Sequence, residues 1–172
     1  IYRKKQDPKN PLGYHLLFAP DVCQGPDGRY YLYYAFDFLG IMSVAVCDTP
    51  AGEYKFLGHI HYADGTLWGR RRGDQLPFDP GVLLDDDGRV WLYSGFYNAV
   101  PAILTGGHQL RCDGGTVLEL EKDMVTIKTE PRVIFPKKGP GAFQGHEFFE
   151  ASSIRKEGKT YIFVYSSRHN HE

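Results

Sequence analysis

No apolar run in the chain approaches the roughly 20 residues that a membrane-crossing helix needs, and the polar opening IYRKKQDPKNPLGYH has no signal-peptide pattern. Neither sign of charge dominates: 20 Lys+Arg stand against 21 Asp+Glu, a formal net charge of -1, so the basic footprint of a nucleic-acid binder is missing. Membrane and nucleic acid are therefore not expected partners. Cysteine is scarce. Cys23, Cys47 and Cys112 cannot all pair, and none forms a CxxC or a Cys/His cluster at zinc spacing, so buried reduced thiols are expected rather than a disulfide framework. With no Asn-x-Ser/Thr acceptor either, these features lean towards a cytoplasmic location. Metal and cofactor signals are lacking too: His108, His146, His169 and His171 show no ligand spacing, and Gly139-Pro140-Gly141 opens no helix that could cradle a phosphate. Asp85-Asp86-Asp87-Gly88 would put Leu83 at the first oxygen-ligand position of a calcium loop, so it reads as a hairpin turn. The first residue is Ile rather than Met, and further sequence is expected beyond both ends.

The helical stripe of apolar residues at i, i+3 and i+4 is also absent from every long stretch, whereas aromatics make up 15% of the chain and apolar residues come in short runs. The expected fold class is all-β. RYYLYYAF (29–36), IMSVAVC (41–47), EYKFLGHI (53–60), RVWLYSGF (89–96), TVLELE (116–121), MVTIKT (124–129) and TYIFVYSS (160–167) read as strands, separated by turn sequences such as Pro26-Asp27-Gly28 and Asp87-Gly88.

The chain repeats itself. A shift of 60 residues superposes FAPDVCQGPDGRYYLYY on FDPGVLLDDDGRVWLYS without a gap, matching Phe18 to Phe78, Pro20 to Pro80, Gly28 to Gly88 and Tyr33 to Tyr93. A weaker third copy, FEASSIRKEGKTYIF, starts at Phe149 and aligns Tyr161 with Tyr31. Antiparallel strands repeating in one register are the pattern of β-propeller blades, whose first strand lines a central channel. The expected units are about 14–70, 77–137 and 147–172, two blades and part of a third, which cannot close a ring.

In this alignment the second position of the three units holds Ala19, Asp79 and Glu150, so two carboxyl groups are expected to converge on one axial funnel. Paired carboxylates are what glycosidic bond hydrolysis requires, one acting as acid and the other as base. A general acid at neutral pH needs a raised pKa, which a neighbouring carboxylate and partial desolvation can supply. Glu147, three residues before Glu150, has the opposite parity on a strand, so only one of the two can face the axis.

FAPDV…DGRYYLYY, FDPGVLLDDDGRVWLYSG and FFEASSIRKEGKTYIFVYSS resemble the second, third and fourth blade openings of glycoside hydrolase family 43. The resemblance implies a five-bladed β-propeller that cleaves α-L-arabinofuranosidic or β-D-xylosidic bonds with inversion. It implies three carboxyl groups: Asp79 matches the one that orients the acid and, as an ionised neighbour, raises its pKa; Glu150 matches the acid, with Glu147 its rival; and the base belongs to a blade preceding residue 1. Asp21 belongs to the Ala-Pro-Asp strand opening and not to the base. The implied partner is an arabinose- or xylose-containing oligosaccharide or polysaccharide; no metal or cofactor is called for. Phe18, Ala19, Phe78 and Phe149 are the candidate substrate-binding residues, with Phe18 the first choice for a binding wall. Trp68 is a weaker candidate for stacking on sugar, and Arg70-Arg71-Arg72 beside it reads as a solvated loop. A non-catalytic carbohydrate-binding or scaffold propeller is the alternative. Sucrose- and fructan-cleaving propellers are a third option, disfavoured because Phe78 stands where they carry Arg before the middle Asp.

Overall fold

The computed structural model of the protein describes residues 1–138 and 143–167. Among the described residues, ten antiparallel strands form three separate sheets. The first is a meander of β1 (Leu17–Gln24), β2 (Tyr30–Phe36), β3 (Met42–Cys47) and β4 (Lys55–His59). The second repeats it with β5 (Gly81–Leu84), β6 (Val90–Phe96), β7 (Gly114–Leu120) and β8 (Arg132–Pro136). The third is the hairpin β9 (Phe148–Glu157) and β10 (Thr160–Ser167). Single-turn 3-10 helices at Lys4–Gln6 and Ala102–Thr105 are the only helical pieces among the described residues. The first two hairpins share one turn chemistry: Asp27 and Asp87 each accept the N–H of the Arg two residues on, and that Arg folds back onto the same carboxylate.

Successive sheets pack face to face. Tyr31, Tyr33 and Val44 of the first sheet meet Val90, Leu92 and Leu118 of the second, a contact of about 1.5–3 kcal/mol for each large side chain buried. The second sheet meets the third through Tyr93 on Phe163 at 5.2 Å and Phe135 stacked on Phe163 at 4.3 Å. The first strands of the three sheets, β1, β5 and β9, consequently lie side by side. Two ionic links tie them at the hairpin end. Asp21 accepts the Val82 N–H at 2.8 Å and pairs with Arg155 at 3.1 Å, while Lys156 bridges Asp85 and Asp86 and the Tyr161 hydroxyl donates to Asp85 at 2.6 Å.

The other face of the first sheet is covered by the N-terminal residues. Tyr34 and Phe36 pack with Tyr54 and Tyr2 there, and the fully buried Asp7 accepts the Tyr34 hydroxyl at 2.9 Å and the Lys9 N–H at 2.8 Å, with His59 Nε2 3.0 Å away. Burial alone would raise the Asp7 carboxyl, but His59, Ser43 and Lys9 outweigh it and hold the group below the usual range.

Several expectations are corrected. MVTIKT forms isolated bridges instead of a strand, because Asp123 takes the N–H groups of Val125 and Thr126 into a turn. Its apolar residues Met124 and Ile127 plug the core between the first two sheets, and the fourth strand of the second sheet is Arg132–Pro136. Trp68 is 0% exposed and belongs to that same core, so it cannot meet a sugar. Of the three arginines, Arg70 is part-buried against backbone carbonyls. The cysteines are unpaired, but only Cys112 is buried; Cys23 and Cys47 are intermediate. Gly139-Pro140-Gly141, His169 and His171 lie outside the described residues.

Candidate active site

The first strand of each sheet carries the same defect at the same height. In β1 the register runs from Phe18 opposite Ala35 to Asp21 opposite Tyr33, leaving Ala19 and Pro20 to face Tyr34 alone. In β9 it runs from Glu150 opposite Ser166 to Ser153 opposite Val164, leaving Ala151 and Ser152 to face Tyr165. In the second sheet Gly81 faces Tyr93 and the Gly95 N–H donates to the Phe78 carbonyl, so Asp79 and Pro80 form the equivalent bulge just before β5. Ser94 fills that gap by accepting the Phe78 N–H at 2.9 Å and donating to its carbonyl at 2.7 Å. The first bulge residue lies in the left-handed region each time: Ala19 at φ 40°, Asp79 at φ 51° and Ala151 at φ 62°. Bulges of this kind re-aim side chains and favour the rims of functional sites.

This geometry corrects the third copy of the repeat by one residue. Glu150 does not share the position of Ala19 and Asp79; Ala151 does, and Glu150 corresponds to Phe18 and Phe78. The facing of the sheets agrees. Leu92 looks towards the first sheet, and its counterpart by this register, Phe163, looks towards the second. The signal available in the sequence was the small residue Ala151, followed by Ser152, matching Ala19-Pro20.

Asp79 nevertheless lies against the segment of β9 that carries Glu150. Asp79 is 6% exposed, and its Oδ2 accepts the N–H of Ala151, the residue after Glu150, at 2.8 Å. The close approach of β5 to β9 depends on Gly81, whose missing Cβ would lie 2.9 Å from the Ser152 carbonyl oxygen. Burial lifts the Asp79 carboxyl up to about 6; the Ala151 N–H works against the rise, and the nearby charge of Glu150 adds to it. Expected to serve as the ionised neighbour, Asp79 thus itself carries an upward shift. Glu150 is half-buried. Glu147 precedes β9 and accepts the Gly145 N–H at 3.0 Å.

The aromatic candidates divide. Phe78 is 4% exposed, enclosed by Phe18, Phe38 and Phe96, and so supports the wall without forming its surface. Phe18 and Phe149 are half-buried and Ala19 is exposed, so these three remain accessible at the Asp79 end. Phe149 sits between Phe96 and Tyr97, each at 5.9 Å. Missed in the sequence was Phe38, which joins this cluster from the turn after β2. A cavity lined by Val22, Gln24, Leu84 and Lys156 opens at the opposite, hairpin end of β1, β5 and β9, away from Asp79 and Glu150.

Comparison with known proteins matches residues 2–171 to the sequence profile of "Glycosyl hydrolases family 43". A xylosidase/arabinosidase of Thermoclostridium stercorarium is 52% identical over 176 residues, covering 100% of this chain and 35% of that protein. Among solved structures, an α-L-arabinofuranosidase from Clostridium thermocellum is 26% identical with a TM-score of 0.60, covering 90% of this chain and 44% of that one. A β-xylosidase/α-arabinofuranosidase from a compost microbial metagenome, crystallised with xylotriose, is 28% identical with a TM-score of 0.59, covering 87% of this chain and 48% of that one. The chain therefore spans from about a third to half the length of these relatives.

Proposed function

The chain belongs to glycosyl hydrolases family 43, and from this premise we propose that the protein carrying it cleaves α-L-arabinofuranosidic or β-D-xylosidic bonds with inversion, Glu150 acting as general acid and Asp79 as its orienting partner. The observation that carries the proposal is the Asp79–Ala151 hydrogen bond, which ties a buried carboxyl to the peptide adjoining Glu150. Glu150 would deliver its proton to the leaving glycosidic oxygen. A base carboxylate from outside this chain would take a proton from the attacking water on the opposite face of the sugar, since the equivalent bulge position in the first sheet holds Ala19, whose side chain can accept no proton. Asp79 holds the Ala151 N–H and so fixes the backbone from which Glu150 projects.

The three sheets are read as the second, third and inner half of the fourth blade of a five-bladed propeller, with units about 14–70, 77–137 and 147–172. Exposed apolar residues support this. Ile162 and Val164 are 44% and 59% exposed, whereas Tyr31 and Tyr33, which hold the same places on β2, are 2% and 0% exposed beneath the next sheet. Substrate would enter at the bulge end, against Phe18, Phe149 and Ala19. The named activities of the relatives, xylosidase and arabinosidase, fit a pentose in that place.

The experiment is hydrolysis of 4-nitrophenyl α-L-arabinofuranoside and 4-nitrophenyl β-D-xyloside by the full-length protein, with the anomer of the first-formed sugar followed by NMR. Release of the inverted anomer is expected. Sugar binding without turnover would instead favour a non-catalytic propeller.

A further inference from the structure

We infer that Phe38 is a sugar-stacking platform at this site and that Arg70 is the residue that positions it; the inference rests on the glycosidase reading above. Phe38 lies on the short turn from β2 to β3. Because Leu17 pairs with Phe36, this turn emerges at the bulge end, the end that carries Asp79. The ring lies nearly parallel to Phe78 at 5.2 Å and 22°, and to Phe18 at 6.5 Å and 27°, and Phe78 immediately precedes Asp79. Unlike Phe78, it is only half-buried.

The turn is held far more firmly than a half-exposed ring in a surface loop needs. Arg70 crosses from the linker between the first two sheets and donates to the Leu39 carbonyl at 2.9 Å and the Gly40 carbonyl at 3.0 Å. Its neighbour Gly69, at φ 91°, presses so closely that a Cβ would stand 1.9 Å from the Gly40 carbonyl oxygen. On the other side, Asp37 at φ 40° accepts the Leu16 N–H at 3.0 Å and lies 2.7 Å from His15 Nδ1. Phe38 is thus fixed between two clamps. A pentose offers one face of C–H groups, and a fixed aromatic ring beside the reacting carboxyls receives it with little loss of side-chain freedom. Core packing alone would not call for the guanidinium: a guanidinium placed on turn carbonyls sets where the ring stands.

The test uses the full-length protein with Glu150→Gln to stop turnover, and measures binding of xylotriose and arabinotriose by calorimetry. Phe38→Leu keeps an apolar side chain and removes the ring; it is expected to weaken binding of the preferred trisaccharide about tenfold in a protein that still melts cooperatively, at a temperature lowered by the lost ring contacts. Phe38→Tyr is expected to restore it to within about twofold. Arg70→Met should weaken the same binding several-fold, Arg70→Lys less, and Arg70→Met should add nothing once Phe38 is Leu, because both act through one ring. Undiminished binding by a folded Phe38→Leu protein overturns the platform, and independent, additive losses overturn the role of Arg70, while the glycosidase reading stands in both cases. No binding by the Glu150→Gln parent overturns that reading and this inference together.

Discussion

Asp79 combines three costs at one residue: a left-handed backbone, a buried carboxyl and a carboxylate neighbour. Its pKa is raised from 3.8 to about 6, so the stability it contributes is fully present below about pH 4 and is lost as pH rises through about 6. Asn tolerates positive φ and can accept the Ala151 N–H through its amide oxygen. Asp79→Asn should therefore stabilise the fold at pH 7.5 by up to about 3 kcal/mol, an advantage that disappears at pH 4, as thermal melts at the two pH values would record. A gain that stays constant across that range would mean that Asp79 titrates normally. Ala19 tests the backbone without the charge. Its φ of 40° admits glycine freely but excludes a β-branched side chain, so Ala19→Val should cost about 2 kcal/mol or more while Ala19→Gly stays within about 1 kcal/mol in denaturant unfolding.

At the scale of the strand and the hairpin, the sequence was legible where turn chemistry and aromatic runs agreed, as at Asp27-Gly28 with Tyr30–Phe36 and Asp87-Gly88 with Val90–Phe96. It misled where apolar residues served packing without a ladder, as in the plug formed by Met124 and Ile127. The bulges were the hardest to read. A two-residue bulge adds no composition signal, and the third hairpin is one residue shorter, so matching aromatics slid the alignment onto Phe149 and Tyr161. The one-residue correction moves Glu150 along its strand and leaves it next to Ala151, whose N–H Asp79 accepts. Hairpin β9–β10 is fastened to the second sheet by Lys156, and the Asp85 carboxyl that accepts it is held down at about 2 by Lys156 and Tyr161. That fastening is present above about pH 4 and is lost as pH falls through about 2. Lys156→Met should lower the melting temperature at pH 7, with the difference from the parent shrinking between pH 4 and pH 2; an unchanged difference would assign the effect to lost packing.

At the scale of the whole molecule, three sheets that form a sector of a ring leave the exposed face of β10 for a further sheet to cover. Replacing Ile162 and Val164 together by Ser should change the stability of the 172-residue chain by less than about 1 kcal/mol, since both are largely solvent-facing, yet destabilise the full-length protein by about 3 kcal/mol or more if a further sheet covers them. Equal effects in both would argue against a covering sheet. The measurement that bears most directly on the central claim, that Glu150 is the proton donor held in place by Asp79, is the leaving-group dependence of Glu150→Gln in the full-length protein. An activated dinitrophenyl glycoside leaves with little protonation, whereas a sugar leaving group needs an acid. Glu150→Gln is expected to abolish cleavage of xylo- or arabino-oligosaccharides and largely spare the dinitrophenyl glycoside, while Glu147→Gln cleaves both; undiminished oligosaccharide cleavage by Glu150→Gln, with Glu147→Gln inactive, would contradict that role for Glu150.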